Sequence, residues 1–228
     1  MNELLWLLML ILNFGAIMVA FRLWGRVGLF VWIPISIIIA NIQVTKTIEI
    51  FTLEATLGNI VYATSFLATD ILSECYGKEE AYKGVGIGFF SLLVMTLLMN
   101  TALLFKPAPS DLVQESLYTI FSLMPRIALA SLAAYLLSQL HDVWSYDFWR
   151  KRRPSIKWLW LRNNASTMVS QIIDTLIFTL IAFWGRYSWS VLWQIMVTTY
   201  VLKWVVAALD TPFIYLAKRW HTKGVVNN

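Results

Sequence analysis

Apolar runs of membrane-spanning length follow one another along almost the whole chain, separated only by short polar connections. No other feature limits the fold as tightly. A helical run of about 20 apolar residues matches the ~30 Å hydrocarbon core of a bilayer, where every backbone N–H and C=O must find its partner within the helix. Composition agrees: 59% of the 228 residues are hydrophobic and 14% charged, against roughly 45–50% and 25% in a soluble domain. The expected fold is all-α, a polytopic membrane helical bundle in one integral membrane domain over 1–228.

Seven transmembrane helices are expected, at about 4–21, 27–44, 57–75, 84–105, 117–140, 166–184 and 191–216. The first is preceded by Glu3 and followed by Arg22 and Arg26. A secretory signal would carry its positive charge before the apolar run, so this is read as a retained span. Residues 1–26 then form an extra N-terminal span, and 27–228 a core of six. Thirteen of the 18 Lys and Arg fall after the first, third and fifth spans and in the tail. The opposite connections hold only Lys46, Lys106 and Arg186. Basic loops stay cytoplasmic, which places the N-terminus outside and the C-terminus inside. The same clustering explains a pI near 9.4 without nucleic acid as a partner. Tryptophans at 144–160 and 184–193 fall where interfacial belts belong. Residues 47–54 and 141–162 read as connections, the second holding six basic residues.

Charges within the spans carry the functional signal. Tyr62 to Ala81 starts as an apolar helix and then presents Asp70 and Glu74, four apart and so on one helical face. An intramembrane carboxylate costs about 2.5–3.5 kcal/mol even on insertion scales, and asks for a partner or a wet cavity. Lys46 and Arg126 fall towards the outer ends of their spans, Asp174 and Lys203 near the middle, and Asp210 in the inner third. Each has a plainer alternative: Asp70 and Glu74 fray into headgroups and pair with Lys78, Lys46 and Arg126 snorkel outward, Asp174 and Lys203 form a structural ion pair. Asn163, Asn164, Ser166 and Thr167 could simply cap the sixth span. Seven ionisable groups over five spans nevertheless suit a solute path better than lipid-facing helices. Pro212 frees the carbonyl of Ala208 close to Asp210. Gly84, Gly86 and Gly88 lack the preceding strand and following Lys of a phosphate loop, so Gly84 and Gly88 read as a close-packing face.

Four segments, ANIQVTK (40–46), SFLATDILSECYGKEEA (65–81), WLRNNASTMVSQIIDTLIF (160–178) and DTPFIYLAK (210–218), resemble the queuosine precursor transporter family, also called the vitamin uptake transporter family. The likeness runs from about residue 27 to the tail. Ala63 departs from it, standing where many members have a proline, which puts a helix bend there in doubt. The resemblance implies import of 7-deazaguanine bases, preQ0 and preQ1, for queuosine in tRNA. The matched polar positions are Asn41, Lys46, Asp70, Glu74, Asn164, Ser166, Gln171, Asp174 and Asp210; Arg126 and Lys203 join the expected translocation path on their depth alone. Such a base offers N1–H and a 2-amino group that one carboxylate accepts together. Asp174 is expected to read that edge, Gln171 or Asn164 to assist, and Asp70 and Glu74 to guard the inner exit.

The expected partners are the bilayer of the bacterial cytoplasmic membrane and a small-molecule substrate, with an energy-coupling partner or a homo-oligomer left open. The alternative function is a substrate-binding membrane subunit of an energy-coupling-factor importer for a vitamin-like molecule; the chain has no ATPase motif of its own. An enzyme is not expected. His141 and His221 are placed outside the spans, and no nucleophile–base or zinc-ligand spacing emerges. Cys75 is the single cysteine, so no cysteine-based metal site, and no cofactor, is anticipated.

Overall fold

The computed structural model describes residues 1–50, 53–122, 125–185 and 188–226. Among these residues the chain forms α1 (Asn2–Gln43), a hairpin of β1 (Thr47–Ile50) and β2 (Leu53–Thr56), α2 (Asn59–Tyr76), α3 (Lys78–Ala102), α4 (Gln114–Phe121), α5 (Pro125–Arg152), a 3-10 turn (Ile156–Trp158), α6 (Leu159–Phe183) and α7 (Trp189–Thr222). Length and composition qualify four helical stretches as candidate membrane spans: α1, α3, α6 with its preceding turn, and most of α7. A fifth is added if α4 and α5, bent by 46° at their break, are counted together.

The first two expected spans are the two arms of α1. Gly25 adopts φ 56° and ψ −131°, a conformation that glycine tolerates because it has no Cβ. A Cβ on Gly28 would collide with the Ala20 carbonyl, although eight residues of straight helix span about 12 Å. The chain therefore doubles back, and α1 is a helical hairpin.

Helix α2 is the axis of the bundle. Nearly every residue from Ile60 to Glu74 is buried, and α1, α3, α5 and α7 all pack on it. Small residues allow this: Ala63, Thr64, Ser65, Ala68, Thr69 and Ser73 let neighbouring backbones approach. The helix passes Ala63 without a break. Gly84 and Gly88 form the expected packing face. A Cβ on Gly84 would press on Ile33 and Leu72, and one on Gly88 would strike the Tyr135 hydroxyl, Ile37 and Ile33. Gly86 faces open space. Outside, Leu8, Ile11, Leu12, Phe90, Leu97, Val201 and Trp204 are exposed. Apolar side chains out and polar ones in is the arrangement a lipid surrounding requires.

Three expectations need correction. Residues 47–56 are a short antiparallel hairpin, with Thr47 opposite Thr56 and Ile50 opposite Leu53; β-branched Thr and Ile suit that pleat. Residues 141–152 are not a connection but the last three turns of α5, which at about 1.5 Å per residue is ~42 Å long. Their polarity hid the continuation, because Asp142, Ser145 and Tyr146 face the interior, not water. Asn163, Asn164, Ser166 and Thr167 lie inside α6, which begins at Leu159, and cap nothing. Arg186, counted among the sparse bases of the opposite connections, lies outside the described residues.

Basic helix ends gather at one end of the bundle. Arg26 reaches Glu80 at 3.2 Å, Arg22 lies over the Trp220 ring at 5.5 Å, and Arg150 donates to the Ser73 carbonyl. The α1 hinge, the α2–α3 junction, the α5–α6 junction and the end of α7 thus meet there.

Candidate functional site

Helix α6 is amphipathic with its polar side inward. Asn163, Ser166, Thr167, Ser170, Gln171, Asp174, Thr175 and Thr179 are all buried, and their three- and four-residue spacing makes one stripe. Helix α5 answers with Ser138, Gln139, Asp142 and Ser145 at the same spacing. Between these stripes and helices α2 and α7, two polar assemblies form.

The first is the floor of a cavity of about 110 Å³, room for several water-sized spheres. Its walls come from the helix ends opposite the basic end: Asn41 of α1 and Val44 just after it, Gly58 just before α2 and Tyr62 within it, Ser131 and Ala134 of α5, Phe178 and Phe183 of α6, Ile195 and Thr199 of α7. Asp174 and Lys203 lie at its base as a buried salt bridge. The Asp174 Oδ1 also accepts from the Tyr62 hydroxyl at 2.6 Å and from Ser138 at 3.1 Å. The Lys203 ammonium stands 5.1 Å from the Tyr62 ring centre, a cation–π contact. Gly58 is needed for shape: a Cβ there would meet the Ala40 carbonyl.

The second assembly lies nearer the basic end. Asp70 accepts from Thr167 at 3.2 Å and faces Asp142, with Asp210 close by. Asp210 accepts from the Asn163 amide at 2.6 Å. Below them the Glu74 carboxylate accepts from Arg162 at 2.8 Å and Tyr146 at 3.2 Å and forms an ion pair with Lys218 at 3.1 Å, which donates to the Glu74 main-chain carbonyl. Arg162 is itself wholly buried and also donates to the carbonyls of Arg153, Pro154 and Ser155. This ionic plug ties α2, α6 and α7 together. Lys78, the partner considered for Glu74, sits instead 3.9 Å from Asp147.

Of the expected path residues, the structure brings Asn41, Asp174 and Lys203 to the cavity. Asp70, Glu74, Ser166 and Asp210 belong to the closed assembly below it. Gln171 is buried on the α6 stripe between the two, with neither amide atom hydrogen-bonded. Three are brought to neither. Lys46 is exposed where α1 gives way to the hairpin. Arg126 donates to the Ile181 and Trp184 carbonyls, 2.6 Å each, and so caps the end of α6. Asn164 bonds Trp160 and Thr211, ten residues from Asp174 on α6. Conversely, Tyr62, Ser138, Asp142 and Arg162 were not singled out from sequence. A 131–135–138–142–145 polar spacing running past Leu140 was the available signal for Ser138 and Asp142. His141, expected outside the spans, is within α5 and lies 2.9 Å from the Ser170 hydroxyl.

Residues 56–217 match the family model described as "Putative vitamin uptake transporter". A "Probable queuosine precursor transporter" of Bacillus subtilis is 46% identical over 218 residues, 96% of this chain and 95% of that protein. A protein of the same description from Haemophilus influenzae is 30% identical, covering 68% of this chain and 63% of its own length. The "Queuosine precursor transporter" of Escherichia coli is also 30% identical, over 64% and 62%. No solved structure matches the chain. Matched along most of its length by the family model and along nearly all of it by the Bacillus relative, the chain belongs to the queuosine precursor transporter family, the vitamin uptake transporters.

Proposed function

We propose that this protein imports queuosine precursors, 7-deazaguanine bases such as preQ0 and preQ1, across the bacterial cytoplasmic membrane. The observation that carries the reading is the Asp174–Lys203 pair, a carboxylate and an ammonium side by side at the floor of a small, partly aromatic cavity. A guanine-type edge presents O6, N1–H and the 2-amino group in a row, acceptor beside donors. Lys203 is the complement for O6, and Asp174 for the two donors. Asp174 already accepts from Tyr62, Ser138 and Lys203, so the base enters by parting the pair. It replaces one charge-assisted contact with two, and leaves no charge stranded. The Tyr62, Phe178 and Phe183 rings supply the flat surfaces on which a bicycle stacks. Gln171, with an unpaired amide one turn from Asp174, is a further donor and acceptor on the same stripe of α6.

Seven crossings fit this reading: the two arms of α1, then α2, α3, α5, α6 and α7. The excess of basic residues at one end supports a cytoplasmic placing of that end, with the N-terminus outside. The cavity then opens from the outer half, and the Glu74–Arg162–Lys218 plug closes the inner half, as alternating access requires of an outward-facing carrier. Expression in a bacterial strain unable to make or import the bases, fed nanomolar preQ0 or preQ1, tests the assignment. Queuosine should return to tRNA with no added ATPase module. Its failure to return with a well-inserted protein overturns the reading, and its return only with an energy-coupling complex assigns the chain to such an importer as its binding subunit.

A further inference from the structure

Under the cavity lie three buried carboxyls, none of them ion-paired among the described residues. Asp70 from α2, Asp142 from α5 and Asp210 from α7 are each no more than 1% exposed. Every neighbouring base is committed elsewhere: Arg162 and Lys218 to Glu74, Lys203 to Asp174. His141, beside Asp142 in sequence, is held by Ser170. Three buried anions with no counter-ion would cost far more than the fold can supply.

The hydrogen bonds identify what is missing. Asp142 lies against Asp70 and beside Ser166, Thr167 and Ser170. Those hydroxyls donate elsewhere, to the Asn163 carbonyl, to Asp70 and to the Ser166 carbonyl. Both Asp142 oxygens consequently have no donor. A second, separate acceptor is also empty: Asn163 is fully buried and aimed into the cluster by its bond to Asp210, yet its Oδ1 is unpartnered. Three acceptor atoms here, both Asp142 oxygens and the Asn163 Oδ1, are thus left without a donor. A carboxyl that gains a proton becomes a donor and satisfies such a neighbour. Among the described residues, no three His, Cys, Asp or Glu are placed to hold a metal ion, which favours a proton over a metal cation.

We propose that Asp142, with Asp70, forms a proton-binding site, and that the proton held there moves inward with each imported base. The proposal rests on the import reading above. The proton comes from outer water through the cavity, past Gln171, onto the Asp142–Asp70 pair. When the Glu74 plug parts, the pair meets inner water and the proton leaves to it. No electrons move, and the proton gradient of the energised membrane is the driving co-reactant.

Purified protein in liposomes, with labelled preQ0 as a substrate of no net charge, tests this. Counterflow, exchange of outside label for inside unlabelled base, needs no net proton movement and reports on the import reading alone. If wild type performs counterflow, preQ0 added outside a lightly buffered suspension should alkalinise that medium by one proton per base. An acid-outside step of one pH unit should then drive accumulation up to about tenfold. In Asp142→Asn and Asp70→Asn, counterflow should remain measurable, while proton uptake falls below about a tenth of wild type. Wild-type counterflow without alkalinisation, or undiminished proton uptake in both variants, overturns the coupling site. Absence of wild-type counterflow would instead overturn the import reading, and the coupling with it.

Discussion

Replacing Lys203 by methionine keeps side-chain length and removes the charge, leaving Asp174 with only the hydroxyls of Tyr62 and Ser138. Both partners are almost completely enclosed, their side chains 5% and 4% exposed. Removing one member of such a pair costs about 3–5 kcal/mol, because the other remains as an uncompensated charge. At roughly 2–4 °C per kcal/mol for a chain of this size, the melting temperature should fall by about 6–20 °C. Asp174→Asn should cost less, because the Tyr62 ring remains to hold the Lys203 ammonium, a contact worth about 0.5–2 kcal/mol. The double variant has no buried charge to strand, and neutral replacements of buried pairs are often nearly neutral in stability. It should regain most of the loss, giving an interaction energy of about 2–3 kcal/mol. Thermal melting of the four proteins in one detergent measures this, and base uptake should be lost in all three variants. Single variants within about 1 kcal/mol of wild type, with effects that simply add, would refute the buried pair as the centre of the site.

Three other perturbations separate the plug, the cap and the packing. Glu74→Gln removes the common partner of Arg162 and Lys218, so melting should fall by about 3–5 kcal/mol, and a cysteine placed near Asp210 should become reactive to a thiol reagent added at the inner face. Arg126→Ala removes two donors from the last α6 carbonyls, and should cost about 1 kcal/mol in melting while leaving the KM for the base within about twofold. Gly88→Val drives side-chain atoms into Tyr135, Ile37 and Ile33, and the yield of folded protein should drop with a cost of about 1–3 kcal/mol; Gly86→Val, facing open space, should behave as wild type.

Where membrane physics dictates the pattern, the sequence was legible. Apolar runs located the helical segments, since a bilayer leaves the backbone little else, and the expense of intramembrane charge pointed to Asp174, Lys203, Asp70 and Glu74. Gly84 and Gly88 were readable as a packing face because close helix contact needs small residues at four-residue spacing. What stayed hidden depended on partners distant in sequence. Arg162 looks like one of six connection bases, and only the return of α6 beside α2 brings it to Glu74, 88 residues away. Asp142 looked solvated, because a polar residue next to His141 resembles the end of a span; burial on α5 reverses that meaning. Arg126 has the depth of a path residue, but its geometry is that of a helix cap, which no periodicity announces. Gly25 alone among many glycines makes α1 double back, a fact set by one backbone conformation.

The most direct measurement is equilibrium binding of preQ0 and of the same base lacking its 2-amino group to purified protein, wild type and Asp174→Asn. Wild type should bind preQ0 about 10- to 100-fold more tightly, because the analogue leaves a buried carboxylate partly unpaired at about 1–3 kcal/mol, and the variant should lose that preference. Equal binding of the two bases by wild type, or a preference kept intact without the Asp174 carboxylate, would contradict recognition of the base edge at this pair.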